Sequence, residues 1–455
     1  MTNILSAFDG KAAAERLQAF VSDNPDIERI ELLFPTINGI FRGKWLPPKD
    51  IAKLAKCELR LPISIYALDT WGHDVDATGL GIVDGDPDGI GIPILDSLAR
   101  IPWTKHPAAQ ILMTMVTVDG EPCRYDPRQI LAGVLSRFDK LGLTPVVATE
   151  LEFFFTKPIG AGAGAPEPPF QSLSGNLCNL DVMAAYDDVL HDIRQYCETQ
   201  GVAAEVVLAE AGNGQFELNF KHVADALLAA DQAIVFKRIV IGTAQKHGLD
   251  ATFMAKPYGD DMGSGMHVHV SLLDKDGGNI YSSENGVGLQ LQQAIGGVLA
   301  TMRPLQAIFA PNLNSYRRFQ PNLFAPVRAV WGLDHRGVAV RVPQSAGPNA
   351  RLEHRICGAD VNPYLAIAAI LGGMQTGLEN RISPGPPLEA GNVAAGTRLH
   401  HDWKSAVDEF AGSAAAAEIF GDDFRKVYTA LRHSEIETLS KQVSDVEYRT
   451  YLRSI

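Results

Sequence analysis

Three short segments of this 455-residue chain carry ionisable residues two positions apart. They are Glu150 and Glu152 in ATELEFFF, His267 and His269 in GMHVHVSL, and Arg351, Glu353 and Arg355 in ARLEHRI. In an extended strand, residues i and i+2 share a face. Each apolar stretch reads as a strand, so each loads one face with charge. Burying such a face without partners is costly, so it must meet a polar cavity, a metal or a bound anion. Glu210 and Glu217 flank the turn sequence Gly212-Asn213-Gly214, and a hairpin there brings both carboxylates close. Carboxylates with imidazoles suit Mg²⁺ or Mn²⁺, Mn²⁺ tolerating His better. Hard divalent ions among arginines point to phosphate chemistry. Taken singly, each pattern has an ordinary reading as a solvated face, a satisfied His pair or a salt-bridge ladder. Their coincidence in one chain, with a Gly-rich run before His267, selects a shared site.

The elements that must position these residues follow from apolar spacing and turn chemistry. Ala13, Leu17, Phe20 and Val21 recur at helical intervals and predict a helix over 12–22, ended by Asn24-Pro25. Ile30, Leu32 and Phe34 alternate as in a strand, Asn38-Gly39 is a hairpin turn, and Ile40, Phe41 and Trp45 lie on the return. Asp126 with Pro127 starts a helix through Phe138. The run VADALLAADQAIVFKRIVIGTAQKHG reads as a long helix with Leu227, Ala230, Ile234 and Ile241 as its apolar stripe and Gly248 past its end. Residues 362–381 and 402–443 read as helical, and 161–170 and 384–396 as loops. Asp84, Asp86 and Asp88 imitate the start of a calcium loop. Leu95 stands where a bidentate Glu belongs and Pro87 interrupts the loop, so the segment reads as an acidic turn.

Composition sets the class. Hydrophobic residues make up 46% and charged residues 20%, as in a soluble globular enzyme, and the formal net charge is -13. That balance argues against nucleic acid or an anionic membrane as the main partner, while a local arginine cluster still admits an anionic substrate. No apolar run reaches the about 18 residues that a spanning helix needs, and the N-terminal segment lacks a basic-then-apolar signal pattern. The five cysteines (Cys57, Cys123, Cys178, Cys197 and Cys357) form no CxxC pair and read as reduced thiols of a cytoplasmic protein.

The chain also resembles a known family over nearly its whole length. NGIFRGK, DPR, ATELEFFF, EAGNGQFEL, FMAKPYGDDMGSGMHVHVSL, NSYRRFQP, VRVP and ARLEHRICGADVNPYLA occur in the order of the glutamine synthetase family. The resemblance implies an α+β fold, with an N-terminal β-grasp domain over 1–115 and a catalytic domain over 116–455. In that plan antiparallel strands form a funnel, a half-barrel completed by a neighbouring subunit, within a dodecamer of two hexameric rings. By the same resemblance Glu152, Glu210 and Glu217 match ligands of one divalent ion, and Glu150, His267 and Glu353 match ligands of a second. His269, Ser271, Arg341 and Arg351 match ATP-contacting positions. Arg318 and Arg355 match positions that hold substrate carboxylate or phosphate, and Gly263 matches a backbone contact to glutamate. Arg336 matches the arginine that stabilises the transferring phosphoryl group. The implied activity joins the γ-carboxylate of glutamate to an amine. A carboxylate is a poor acyl donor, so ATP phosphorylates it first and the amine then displaces phosphate.

Departures from the family pattern cluster around the amine. The flap glutamate of true glutamine synthetases aligns with Phe324, and a phenyl ring neither binds ammonium by charge nor accepts its proton. Met262 stands where the family carries Asn. The segment holding the family's ammonium-binding aspartate is replaced by LPISIYALDTWG, in which Asp69 is the candidate substitute. The tyrosine segment modified in some bacterial enzymes has no match in EAGNVAAG. These changes resemble the glutamate–amine ligases that act on polyamines, methylamine or aniline. An apolar alkyl or aryl monoamine is favoured, with Tyr66, Trp71 and Phe324 as candidate walls. A polyamine synthetase, an ordinary glutamine synthetase and a non-catalytic assembly protein are the alternatives. The last would be expected to lose metal ligands or arginines that this chain keeps.

Overall fold

The computed structural model describes residues 4–158, 160, 164–170, 175–284, 286–320, 324–344, 346–389 and 396–455. The expected loops at 161–170 and 384–396 lie partly outside these residues, as does most of EAGNVAAG and the stretch 321–323 beside Phe324.

The hairpin expected at Asn38-Gly39 joins β1 (Arg29–Pro35) to β2 (Phe41–Leu46), and Gly39 turns it with φ +71, a left-handed conformation that glycine adopts without strain. With β3 (Arg60–Pro62), β4 (Asp88–Pro93), β5 (Ala99–Ile101) and β6 (Ala108–Val116), a first sheet forms in the order β2-β1-β6-β4-β3, and β5 pairs with β6. β1 runs parallel to β6. Both of these strands are buried on two faces, beyond the alternation read from β1. Ile30, Leu32 and Phe34 share a core with Ala13 and Leu17 of helix Gly10–Asp23, while Leu33 and Leu112 join the larger core.

The second sheet carries the charged faces. Its strands are β7 (Thr144–Thr156), β8 (Ala204–Ala209), β9 (Gln215–Phe220), β10 (Asp250–Thr252) and β11 (Met266–Leu273). After the short β12 (Arg328–Ala329), which pairs elsewhere with Thr397–Arg398, come β13 (Trp331–Leu333), β14 (Val340–Gln344) and β15 (Arg351–His354). The order is β13-β14-β15-β11-β7-β9-β8, with β10 on β7. All pairings are antiparallel except β13 with β14. One face of this sheet is apolar. Leu151, Phe153, Phe155, Phe216, Leu218, Val268 and Val270 are buried there, and Phe153 meets Phe236 of helix Ala226–Lys246 edge-on at 5.9 Å between centroids.

Three expectations need correction. Helix Ala226–Lys246 is buried almost all round rather than along one stripe, because helices Pro127–Leu141, Asp187–Thr199 and Pro363–Asn380 pack on it as well as the sheet. Ile241, assigned to that stripe, is 38% exposed. The helical span 402–443 is three helices, Trp403–Gly412, Ala414–Phe420 and Asp422–Ser440, broken at Ser413, which caps the second, and at Gly421. Tyr66, a candidate wall of the amine pocket, is fully buried in the core of the first sheet, and its hydroxyl donates to Asp126 at 3.0 Å. Among the described residues no helix is long and apolar enough to cross a membrane, and all five cysteines are free.

Asp126 ties the two sheets' surroundings together. It caps helix Pro127–Leu141 through Arg128 N at 2.9 Å and also accepts from Thr114 Oγ1 at 2.6 Å and Met115 N at 2.8 Å. Removing it leaves several buried donors without an acceptor, at about 1–3 kcal/mol each before relaxation. Asp126→Ala is therefore expected to lower the urea unfolding midpoint strongly; a shift no larger than that of an exposed Asp88→Ala control would contradict this role.

Candidate active site

Strand register brings the charged residues into one row. On the face opposite the aromatic core, Arg341 of β14 lies opposite Glu353 of β15, and Glu353 opposite His269 of β11. Two residues along, His267 lies opposite Glu150 of β7, Glu150 opposite Asn219 of β9, and Glu152 opposite Glu217. The Gly212-Asn213-Gly214 turn closes the β8–β9 hairpin, with Gly214 at φ +76 and Glu210 N donating to Gln215 O at 2.9 Å. Glu210 thus stands at the end of the hairpin, and its charge reaches Glu217 and Glu152.

Contacts in the row are short and mixed in sign. Glu150 bridges the imidazoles, with His267 Nδ1 at 3.1 Å from Oε2 and His269 Nε2 at 3.0 Å from Oε1. His267 Nδ1 is also 4.0 Å from Glu217 and 3.9 Å from Glu353. Arg351 Nε donates to His269 Nδ1 at 3.4 Å, which leaves the proton of a neutral His269 on Nε2, facing Glu150. Glu353, 1% exposed, is held by Arg341 Nη1 at 2.7 Å and by direct contact with Arg355.

These surroundings split the carboxylates. Burial raises Glu150, but the hydrogen bonds of His267 and His269 prevail and hold it well below the usual carboxylate range. Burial likewise opposes ionisation of Glu353, yet His267, Arg355, His269 and Arg341 keep it lowered. Glu217 is pushed up to about 8, by burial first and then by Glu150, Glu152 and Glu210, against the attraction of His267. Glu210 is pushed up to about 7 by burial and Glu152. Carboxylates that hold protons near neutrality are short of positive charge. Ligand atoms of Glu150, His269 and Glu353 lie within 4.8 Å of one another, as do those of Glu150, Glu217 and His267. Oxygen donors with imidazole in two overlapping groups fit hard divalent cations, Mg²⁺ or Mn²⁺.

The remaining expected residues lie at graded distance from this row. Glu152 is outside both groups; its Oε2 accepts from Gly265 N at 2.9 Å and Gln215 Nε2 at 3.1 Å. The same Gln215 amide donates to Gly263 O at 3.0 Å, joining the Gly263 loop to the sheet. A Cβ on Gly263 would come within 2.7 Å of Ala255 O and 2.8 Å of Arg318 Cγ, so only glycine lets Arg318 approach. Met262 follows Asp261, which accepts from Met262 N at 2.7 Å and from Asn213 N at 3.0 Å and so links this loop to the hairpin turn. Ser271 is half-buried on the face of His267 and His269. Arg336 is exposed on the β13–β14 connection, near enough for its charge to stabilise ionised Glu210. Phe324 is 67% exposed and Trp71 44% exposed. Asp69 is buried and accepts from His73 N at 2.8 Å, so it secures its own turn. Sequence reading missed Gln215 and Asn219, whose amide donates to Glu217 at 3.1 Å, although both follow the period-two spacing of Glu217 along β9. It also missed Asp334, which pairs with Arg341 at 2.5 Å.

The chain is similar to known proteins over nearly its whole length. The family described as "Glutamine synthetase, catalytic domain" matches residues 124–451. The chain is 34% identical to gamma-glutamylputrescine synthetase of Escherichia coli, over 98% of this chain and 96% of the relative. It is 32% identical to glutamate–isopropylamine ligase of a Pseudomonas species, over 94% of this chain and 95% of the relative. A solved GmaS/ADP complex superposes with a TM-score of 0.84 at 27% identity, covering 96% of this chain and 99% of the other.

The raised carboxylates set a pH dependence for cation binding. With folded values near 7 and 8 against an ordinary 4.5, Glu210 and Glu217 bind more protons in the folded state, so their contribution to stability falls as pH rises through that window. A cation takes the place of those protons. The rise in melting temperature on adding Mn²⁺ or Mg²⁺ should therefore be larger at pH 8 than at pH 5.5, as read by thermal unfolding; an equal or smaller rise at pH 8 would count against cation binding here.

Proposed function

The chain belongs to the glutamine synthetase family, and from that membership we propose that it is an ATP-dependent glutamate–amine ligase whose amine is an apolar monoamine rather than ammonia. The observation that carries the ligase reading is the convergence of Glu150, Glu217, Glu353, His267 and His269 in two overlapping groups flanked by Arg341 and Arg355. In this reading Glu152, Glu210 and Glu217 hold one divalent cation, and Glu150, His267 and Glu353 a second. Such ions, when bound, neutralise phosphate charge during phosphoryl transfer. His269, Ser271, Arg341 and Arg351 orient ATP. Arg318 and Arg355 hold the glutamate and phosphate anions, the Gly263 backbone contacts glutamate, and Arg336 stabilises the phosphoryl group in flight.

The reaction has two steps. The γ-carboxylate attacks the γ-phosphorus of ATP, giving γ-glutamyl phosphate and ADP. A neutral amine then adds to the acyl carbon, inorganic phosphate leaves with the electron pair of the broken C–O bond, and the nitrogen gives up one proton to the departing phosphate or to solvent. Guanidinium groups fixed beforehand are effective because they need no reorganisation as charge develops. Water must be kept from the acyl phosphate, which favours a closed, partly apolar amine entrance.

Phe324 supports a non-ammonia amine. Its ring is exposed and, by the family resemblance, aligns with the flap glutamate that serves ammonium; apolar contact there would stabilise an alkyl group by about 25 cal/mol per Å² buried. Burial of Asp69 against His73 counts against it as the ammonium-binding substitute. The 34% identity to a putrescine-named relative favours a second reading, a polyamine substrate, although a dication needs acidic partners that neither Phe324 nor Trp71 supplies. We read residues 1–115 as a β-grasp domain that completes the funnel of a neighbouring catalytic domain, 116–455, in a cytoplasmic dodecamer of two hexameric rings. Exposure of Trp71, Phe324 and Leu333 is consistent with surfaces covered by another copy.

Phosphate release with glutamate, ATP, Mg²⁺ or Mn²⁺ and a panel of ammonia, methylamine, isopropylamine, ethanolamine, aniline, putrescine and spermidine decides among these readings. Turnover is expected to be highest with an apolar monoamine, and preference for putrescine or ammonia would select the other substrates. Glu353→Ala should lower turnover at least about 100-fold with every amine, since it removes a central acid and leaves the buried Arg355 without its carboxylate partner, Arg341 keeping only Asp334. Phe324→Glu should raise ammonia use relative to the preferred amine; an unchanged ratio would refute the role given to this ring.

A further inference from the structure

Arg318 is buried, with 5% of its surface exposed, and no carboxylate lies within ion-pair distance of it among the described residues. Its nearest opposing charges, Glu152 and Asp360, act on it through space, and its described hydrogen bond goes from Nη1 to Ile356 O at 3.1 Å. A guanidinium has five N–H groups, so most of its donor capacity remains for an anion. Such a group binds selectively only if its position is set by the protein around it.

That position depends on the short 3-10 turn segment Leu313–Arg318, six residues long, which ends at the arginine. A turn this short has few hydrogen bonds of its own and needs outside anchors. Two polar side chains supply them. Asn314 brackets Lys256, accepting from its N at 2.8 Å and donating to its O at 2.9 Å. At the start of the turn Asn312 N donates to Ser315 Oγ at 3.1 Å. Asp360 Oδ2 then accepts from both Asn312 Nδ2 at 3.0 Å and Ser315 Oγ at 2.6 Å.

Asp360 is itself fixed relative to the glutamate loop of the proposed reaction. Ala359 N donates to Ser264 O at 3.0 Å, one residue from Gly263, and Gly358 N donates to Phe309 O at 3.1 Å. Gly358 leaves room for the carboxylate, since a Cβ there would come within 2.2 Å of Asp360 Oδ1. That Oδ1 is buried without a hydrogen-bond partner, and the residue borders a mixed cavity lined by Ile37, Ile308 and Leu365 but also by Asn38, Thr70 and Arg432. A buried carboxylate oxygen without a partner is costly, which makes Asp360 a poor choice for packing alone. The two bonds made by Oδ2 account for it.

We infer that Asp360 is a positioning residue for Arg318: by fixing Asn312 and Ser315 it sets where the guanidinium meets the substrate anion, a role that rests on the ligase reading above. The test is steady-state kinetics of the full-length enzyme with the best amine of the panel, glutamate and ATP being varied in turn. Asp360→Ala is expected to raise the KM for glutamate about 10-fold or more, with the KM for ATP and kcat within about 3-fold. Ser315→Ala should raise the glutamate KM less, and Asp360→Asn should recover most of the loss. In an Arg318→Lys background, Asp360→Ala should add no more than about 2-fold, because the two act as one unit. An unchanged glutamate KM with a lowered melting temperature and kcat would overturn the inference and leave Asp360 a structural residue. So would an equal rise in the KM for ATP. Should Asp360→Ala fail to fold, Asp360→Asn and Ser315→Ala decide by the same criteria. Wild type in the same assay keeps the failures apart. No wild-type turnover with any amine sinks the ligase reading and this role with it, whereas normal wild-type turnover with unaltered variants sinks the role alone.

Discussion

Five carboxylates lie close together on one sheet, four on its strands and Glu210 at the end of a hairpin, and much of the structure is organised around their mutual repulsion. Glu150 escapes it by binding two imidazoles, and Glu353 by binding two arginines. Glu210 and Glu217 have no such partners and are pushed towards the protonated state. A protein gains nothing in stability from such a face, since apolar residues of the same volume would cost less. The arrangement makes sense only where multiply charged cations and anions are to be brought together, because their binding supplies the compensating charge.

The apolar half of the sheet makes this possible. Each strand that sends Glu or His to one face sends Phe, Leu or Val to the other, where Phe153, Phe155, Phe216 and Phe236 interlock. Register is therefore strongly specified, because a slip of one residue would put phenyl rings on the charged face and carboxylates in the core. The same registration holds His269 opposite Glu353 and Glu152 opposite Glu217 without any loop taking part. Loops enter only at the rim. Gln215 ties Gly263 to Glu152, Asp261 ties the same loop to the hairpin turn, and Asp360 and Asn314 tie down the turn ending in Arg318.

Periodicity made the row of strand residues legible from the chain alone, since period-two spacing states which side chains share a face. It fell short where the partner of a residue is distant in sequence. Tyr66 is aromatic and close to Asp69 and Trp71, yet its hydroxyl belongs to Asp126, sixty residues on, and no local pattern announces that bond. Helix Ala226–Lys246 shows an apolar stripe, but packing on several sides buries positions off the stripe and leaves Ile241 outside. Gln215 and Asn219 carried the right spacing and were passed over because neutral amides do not suggest charge chemistry, although a carboxylate row needs neutral donors between its members.

In the proposed reaction chemistry and specificity are separated in space. Phosphoryl transfer and acyl activation need the carboxylates, imidazoles and arginines, all on strands or on segments tied to strands, and such groups tolerate little displacement. Choice of amine needs only a surface near the activated carbonyl, and the candidates for it, Met262, Phe324 and Trp71, lie on connections between elements. A substitution there alters contact area without disturbing the registered row. Relatives named for putrescine and for isopropylamine share about a third of their residues with this chain at near-complete coverage, as expected when one catalytic sheet is kept and its rim is varied. On the proposed reading the amine is set by a few side chains on these connections, while the acid row serves the activation of the carboxylate that the amine meets.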